Sequence, residues 1–161
     1  MDVRIARIYV SPGHNFFGHY GKPPGENPVV EVEEVECVAG KGLVGDRFFD
    51  FKPEKFPAGY KGQVTFFAWE TFEAVSRELG VADKEPSTFR RNVITRGVAD
   101  LNEWIGREFE LQGVRFLGTG ESSPCEWMET AFAPGALKAL SGRGGLRARI
   151  LTNGTLRVDE R

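Results

Sequence analysis

The chain has 161 residues, of which 40% are apolar and 27% charged, with a formal net charge of −2. That is enough apolar material for one domain over residues 1–161 with a real core, and it lacks the positive excess that draws proteins to nucleic acid regardless of sequence. The start, Met1-Asp2-Val3-Arg4-Ile5-Ala6-Arg7, is not that of a signal peptide, and no apolar run reaches the ~18 residues of a membrane span, so a cytoplasmic protein without membrane contact is expected.

Residues 3–10 and 29–38 mix β-branched and polar residues at alternate positions, which predicts half-buried strands. Between them residues 11–28 carry Gly18, Gly21, Gly25 and four prolines, a loop long enough to be a pocket lid or a subunit contact. Residues 63–67 read as a strand. A helix follows, with Phe72, Val75 and Leu79 on its apolar face and Gly80 as its stop. Residues 93–95 form a short strand and residues 101–105 a helical turn. Residues 109–111 and 114–117 are predicted to pair across Gln112-Gly113, and residues 149–151 and 156–158 across Asn153-Gly154, both as tight hairpins. Residues 125–132 and 136–140 between them look helical. The sum is a mainly β fold with a few helices, expected to close wholly or partly into an antiparallel barrel, since closure removes vulnerable strand edges.

Few residue patterns carry chemistry. Cys125 follows Pro124 at a predicted helix start, where the positive end of the helix dipole favours thiolate; a small buried hydrophobe is the competing reading. The other cysteine, Cys37, gives no framework or metal-ribbon spacing with it, so both thiols are expected reduced. Phe89-Arg90-Arg91-Asn92 enters a strand, so alternation groups Arg90 with Asn92, a guanidinium and an amide suited to phosphate or a heterocycle edge, or else an ordinary solvated strand end. Gly142-Arg143-Gly144-Gly145-Leu146-Arg147 could turn backbone N–H groups on an anion or simply cap a helix; it is not a P-loop. Gly40-Lys41-Gly42-Leu43-Val44-Gly45-Asp46-Arg47 is similar, and its Asp46 and Arg47 could pair with each other. His14 and His19, five apart in a loop, are a weak metal signal. No GxSxG element or paired catalytic carboxylates support a hydrolase.

The combination of Lys41-Gly42-Leu43-Val44-Gly45-Asp46-Arg47, Gln63-Val64-Thr65, Phe89-Arg90-Arg91-Asn92, Gly106-Arg107-Glu108-Phe109, Pro124-Cys125 and Gly142-Arg143-Gly144-Gly145-Leu146 resembles the MOSC family. This is the C-terminal domain of molybdenum cofactor sulfurases, also found as small stand-alone proteins and in the mitochondrial amidoxime-reducing component. The resemblance implies a β-barrel of the pyruvate-kinase type. It implies Cys125 as a sulfur carrier or as the thiolate ligand of molybdenum, and Arg47 and Arg90 as contacts to the phosphate or pterin of the cofactor with Asn92 beside them. Gly144 and Gly145 would shape the adjoining loop, and Arg147 and Arg143 would extend the anion-binding wall. Ser122 stands where many members carry a second cysteine, which argues against a two-thiol mechanism. Phe48 replaces a frequent histidine and removes a proton-transfer role there.

The resulting expectation is a protein that binds molybdenum cofactor or carries sulfur on Cys125, reducing a small N-hydroxylated molecule with electrons from a separate donor, or receiving sulfur from a separate sulfurase. Pyridoxal phosphate is not expected on this chain. The alternative is a non-catalytic anion- or cofactor-binding or delivery module. Nucleic-acid binding through the arginines ranks last, because acidic residues interleave with them.

Overall fold

The computed structural model describes residues 3–11, 29–46, 49, 63–98, 100–124 and 127–159. Ten strands fall into two sheets. Seven form one sheet in the order β2 (Val30–Val32), β1 (Arg4–Val10), β6 (Val93–Arg96), β5 (Val64–Ala68), β9 (Leu146–Ile150), β8 (Val114–Glu121) and β7 (Glu108–Leu111); the other three run β10 (Gly154–Arg157), β3 (Glu34–Val38), β4 (Gly42–Leu43).

The centre of the larger sheet is β5, Val-Thr-Phe-Phe-Ala, every residue of which is buried. Its β-branched and aromatic side chains serve two cores at once. Val64, Phe66 and Ala68 face the three-stranded sheet, where they meet Ile8, Phe116, Ala148, Val35, Leu43 and Leu156. Phe67 faces the helical side, with Tyr9, Ile94, Phe72, Phe89, Met128 and Leu140. A strand buried on both faces reads as a continuous apolar run, as β5 does, and here it also pairs in parallel with β6. The connection between the two carries α1 (Trp69–Glu78) and a 3₁₀ turn over Pro86–Phe89. As expected from spacing, α1 buries Phe72 and Val75 and is followed by Gly80 at φ +66°, the left-handed backbone that glycine adopts without strain. Two short helices, α2 (Trp127–Ala131) and α3 (Ala136–Ala139), complete the helical layer.

The structure corrects three expectations. Among the described residues the larger sheet is open and mixed, and no ladder closes it into an antiparallel barrel; strands of both sheets surround one core, but their backbone pairing is divided between two sheets. The Gln112-Gly113 hairpin is present, both residues having positive φ. The Asn153-Gly154 hairpin is not. There β9 stays in the larger sheet while β10 crosses to pair with β3, and the Asn153 side chain accepts a hydrogen bond from the Ala39 N–H at 2.7 Å. Finally, β6 begins only at Val93, and Arg90 sits outside it in the left-handed region at φ 57°. Strand alternation therefore does not sort Arg90, Arg91 and Asn92, and all three are buried.

Candidate functional site

Asn92 lies beside the first residue of β6 and organises a buried polar network. Its amide donates to the Tyr9 carbonyl (3.1 Å) and to the Asp46 carboxylate (3.2 Å), while its Oδ1 accepts from the N–H and hydroxyl of Thr65 at 3.0 and 3.1 Å. The Thr65 Oγ1 accepts in turn from the Asn92 N–H at 3.0 Å. All four hydrogen-bonding positions of the side chain are thus occupied by protein. Asp46, in the glycine-rich turn after β4, also accepts from the Ser11 N–H at 3.0 Å, and the Ser11 hydroxyl accepts from Arg90 at 2.8 Å. Residues from the end of β1, the turn after β4, β5 and the entrance to β6 are locked together with little side-chain freedom. Asn92 and Asp46 position the segments around them, and Arg90 is held where those segments meet.

Arg91 holds a second junction. Its guanidinium donates to four carbonyls: Gly144 (2.8 Å), Phe89 (3.1 Å), Ser122 (3.0 Å) and Ser123 (3.3 Å). This fixes the end of β8, just before Pro124, against the glycine loop that precedes β9. The loop itself needs its glycines for contact with protein. A Cβ on Gly144 would collide with the Ser122 carbonyl and with the ring of Pro124, and one on Gly145, at φ +114°, would lie 2.6 Å from the Phe66 carbonyl. These two glycines bring the loop onto the strand exit; Gly142 and Arg143 finish α3. The Arg143 Nε donates to the Ala139 carbonyl and its terminal nitrogen pairs with Glu78 at 2.7 Å, tying α3 to α1.

Arg147 lies on β9 directly opposite Thr65, which itself neighbours Asn92. Leu146, Ala148 and Ile150 point into the core, so Arg147 and Arg149 share the other face, both half-buried. Among the described residues neither guanidinium has a hydrogen-bonding or ionic partner, and the Nε of Arg149 is fully shielded from solvent as well. On the flanking strand β8 the register slips between Gly118 and Gly120, and it is Gly120 that sits beside Arg147, with nothing within 4 Å of where a Cβ would lie. A bulge next to an unfilled position opens room on this face. An open groove of about 650 Å³ lies further along, against Glu121, Ser123, Pro124, Lys138, Ser141 and Gly142.

The MOSC domain profile matches residues 53–161. The chain belongs to the MOSC domain family. Its fold also matches solved structures: the YuaD protein of Bacillus subtilis, with a TM-score of 0.71 at 18% identity over 98% of this chain and 92% of that one, and YiiM of Geobacillus stearothermophilus, with 0.67 at 14% identity over 97% and 71%. YiiM of Escherichia coli gives 0.63 at 18% identity, with 97% of this chain aligned to 66% of that chain. No curated protein matches the chain. The MOSC family is associated with molybdenum cofactor binding.

Within this MOSC chain, the structure joins Asn92 to Thr65, which lies opposite Arg147 on β9, holds Arg90 at Ser11 beyond the end of β1, and sets Gly144 and Gly145 beside the strand exit that leads to Pro124. Arg143 is turned to the helical layer instead. Cys125 and Arg47 lie outside the described residues, as do His14, His19, Phe48 and residues 12–28 of the long loop. Cys37 is a core residue, 2% exposed, and burial pushes its thiol up to about 12, so it stays protonated and inert. Three residues escaped the sequence reading as site members. Thr65 and Arg91 lie within the Gln63-Val64-Thr65 and Phe89-Arg90-Arg91-Asn92 motifs, but nothing in their spacing marks a hydroxyl or guanidinium with partners far away in sequence. Arg149 had a signal: two positions after Arg147 in a strand, it must share that residue's face. Among the described residues no helix is long and apolar enough to cross a membrane.

Proposed function

We propose that this MOSC protein binds molybdenum cofactor, with Cys125 as the thiolate ligand or sulfur carrier and with Arg90 and Arg147 holding the anionic part of the cofactor. The observation that supports the reading most is Arg147: a half-buried guanidinium without a partner among the described residues, beside the Thr65–Asn92 network and an unfilled Gly120 position. A guanidinium held on a partly buried strand face without a protein partner favours an anion beside it, and the donor set fits a phosphate-bearing group. Arg47, in the motif that ends Gly45-Asp46-Arg47, would join these contacts.

When bound, the cofactor supplies two-electron redox chemistry at its metal and a sulfur ligand sphere. The protein's own contributions are different. Asn92 and Asp46 hold the β1 end and the Asp46 turn in place, Arg91 fixes the approach to Pro124 through the Ser122 and Ser123 carbonyls, and Gly144 packs on that same segment. Reducing an N-hydroxylated substrate to the corresponding N–H compound consumes two electrons and two protons and releases water. A separate electron-transfer protein would supply those electrons, and a separate sulfurase would load Cys125 if the protein carries sulfur.

The test is the molybdenum and pterin content of protein purified anaerobically from a cofactor-competent host. The expected result is near-stoichiometric metal in the wild type and its loss in Cys125→Ser. Pterin and metal absent from both would overturn resident cofactor binding and leave sulfur transfer or anion delivery.

A further inference from the structure

We infer that Arg147 and Arg149 together form a seat for one oxyanion, a phosphate monoester or a carboxylate, on the outer face of β9. Arg149 is the new element, and it rests on the cofactor reading only for the place where chemistry occurs. Residues i and i+2 of a strand point the same way about 6.7 Å apart, a separation that two guanidinium forks can bridge onto a single tetrahedral or planar anion. Both side chains are half-buried, both lack a hydrogen-bonding or ionic partner among the described residues, and the Arg149 Nε has lost its solvent too. Two like charges on one strand face repel each other, and an anion between or above them would relieve that repulsion and give the shielded Arg149 Nε a partner.

The neighbouring strands agree. The β8 bulge and Gly120 leave space next to Arg147, and the part-exposed Leu117 pairs with Arg149 across the ladder, with Glu108 of β7 opposite Leu117 in turn and itself paired with Arg115. The nearest carboxylate on β8, Glu121, pairs with Leu146 and accepts a hydrogen bond from Asn102 at 3.3 Å. The anion could be the cofactor's phosphate or a charged group of the substrate, which share this chemistry.

Calorimetric titration with inorganic phosphate at low salt tests the seat. Protein carrying Arg149→Gln should bind phosphate about tenfold or more weakly, as loss of a charge-assisted contact predicts, Arg147→Gln likewise, and Arg149→Lys should retain part of the affinity. The ligand-free melting temperature of each variant should equal or exceed that of the wild type, because a repulsion is removed, while the rise on adding phosphate disappears. Undiminished phosphate affinity in both Gln variants, or a fall in ligand-free stability with affinity unchanged, would overturn the proposal. Cofactor content separates the two sources: content that falls in Arg149→Gln with phosphate affinity assigns the seat to the cofactor, and unchanged content assigns it to the substrate. Phosphate binding lost in the variants of a protein that never holds cofactor supports the seat while refuting the resident cofactor.

Discussion

Asn92 is the residue on which most of the site's order depends. Its amide satisfies the Tyr9 carbonyl and the Asp46 carboxylate, and its Oδ1 satisfies two donors of Thr65. In Asn92→Ala all of these lose a partner in a place water reaches poorly, and a buried orphaned donor or acceptor costs far more than an average hydrogen bond contributes. We expect Asn92→Ala to lose about 2–4 kcal/mol in urea denaturation. A loss within experimental error would mean the network is replaced by water at no cost. The grouping of Arg90 with Asn92 was legible from the motif, but its geometry was not. Alternation assumes a strand, and here a 3₁₀ turn ends in a left-handed Arg90 just before the strand starts. Which polar side chains become buried depends on distant segments meeting, and local spacing carries no record of that.

The turn chemistry of the hairpins shows the same division. Gln112-Gly113 joins two strands that are neighbours in both sequence and space, so short-range preference and tertiary structure agree. Asn153-Gly154 has the stronger turn signature of the two, yet it lies at a crossing between sheets, where β3 offers β10 an edge to pair with and the three-stranded sheet covers the core. The glycine loop before β9 was legible as special but not for its reason. Its glycines suggest an anion cradle or a helix cap, and in the fold Gly144 and Gly145 let the loop come against the Ser122 and Phe66 carbonyls. Gly144→Ala should therefore destabilise by about 1–3 kcal/mol through overpacking against Ser122 and Pro124, and should disturb the segment leading to Cys125. Hydrogen exchange would show protection lost around residues 120–124 and 142–146 together. Loss confined to the loop would argue that the strand exit is held by other contacts.

Across the whole molecule, one sheet separates two apolar cores and carries the polar site along the end of β5 and its neighbours. Mainly β architecture with a few helices was legible because strand periodicity and glycine punctuation run the length of the chain; the partition into two sheets was not, since it is decided by pairings such as β10 with β3 between segments far apart in sequence. Both cores enclose a titrating group. Burial raises the Cys37 thiol from 9.0 to about 12, and burial with the charge of Glu31 raises the Tyr9 hydroxyl from 10.0 to about 12. Each is neutral when protonated, so above its ordinary value the unfolded chain releases a proton that the native protein keeps. Stability is full below about 9 and declines as pH rises from there toward 12. The denaturant midpoint should be flat in the neutral range and fall at alkaline pH, and Tyr9→Phe should make the upper part of that fall shallower. An alkaline profile with no decline would show that both groups ionise in place.

The four carbonyls gathered by Arg91 belong to stretches of chain far apart in order, the bond to Gly144 spanning 53 residues. During synthesis the guanidinium emerges long before the acceptors at Ser122, Ser123 and Gly144 exist. Until they arrive, a charged side chain destined for the interior has no interior to enter, and water is its partner. The approach to Pro124 is thus assembled by the last third of the polypeptide acting on a residue made in the middle, and a nascent chain arrested before the glycine loop has neither β9 to join β5 to β8 nor a finished site.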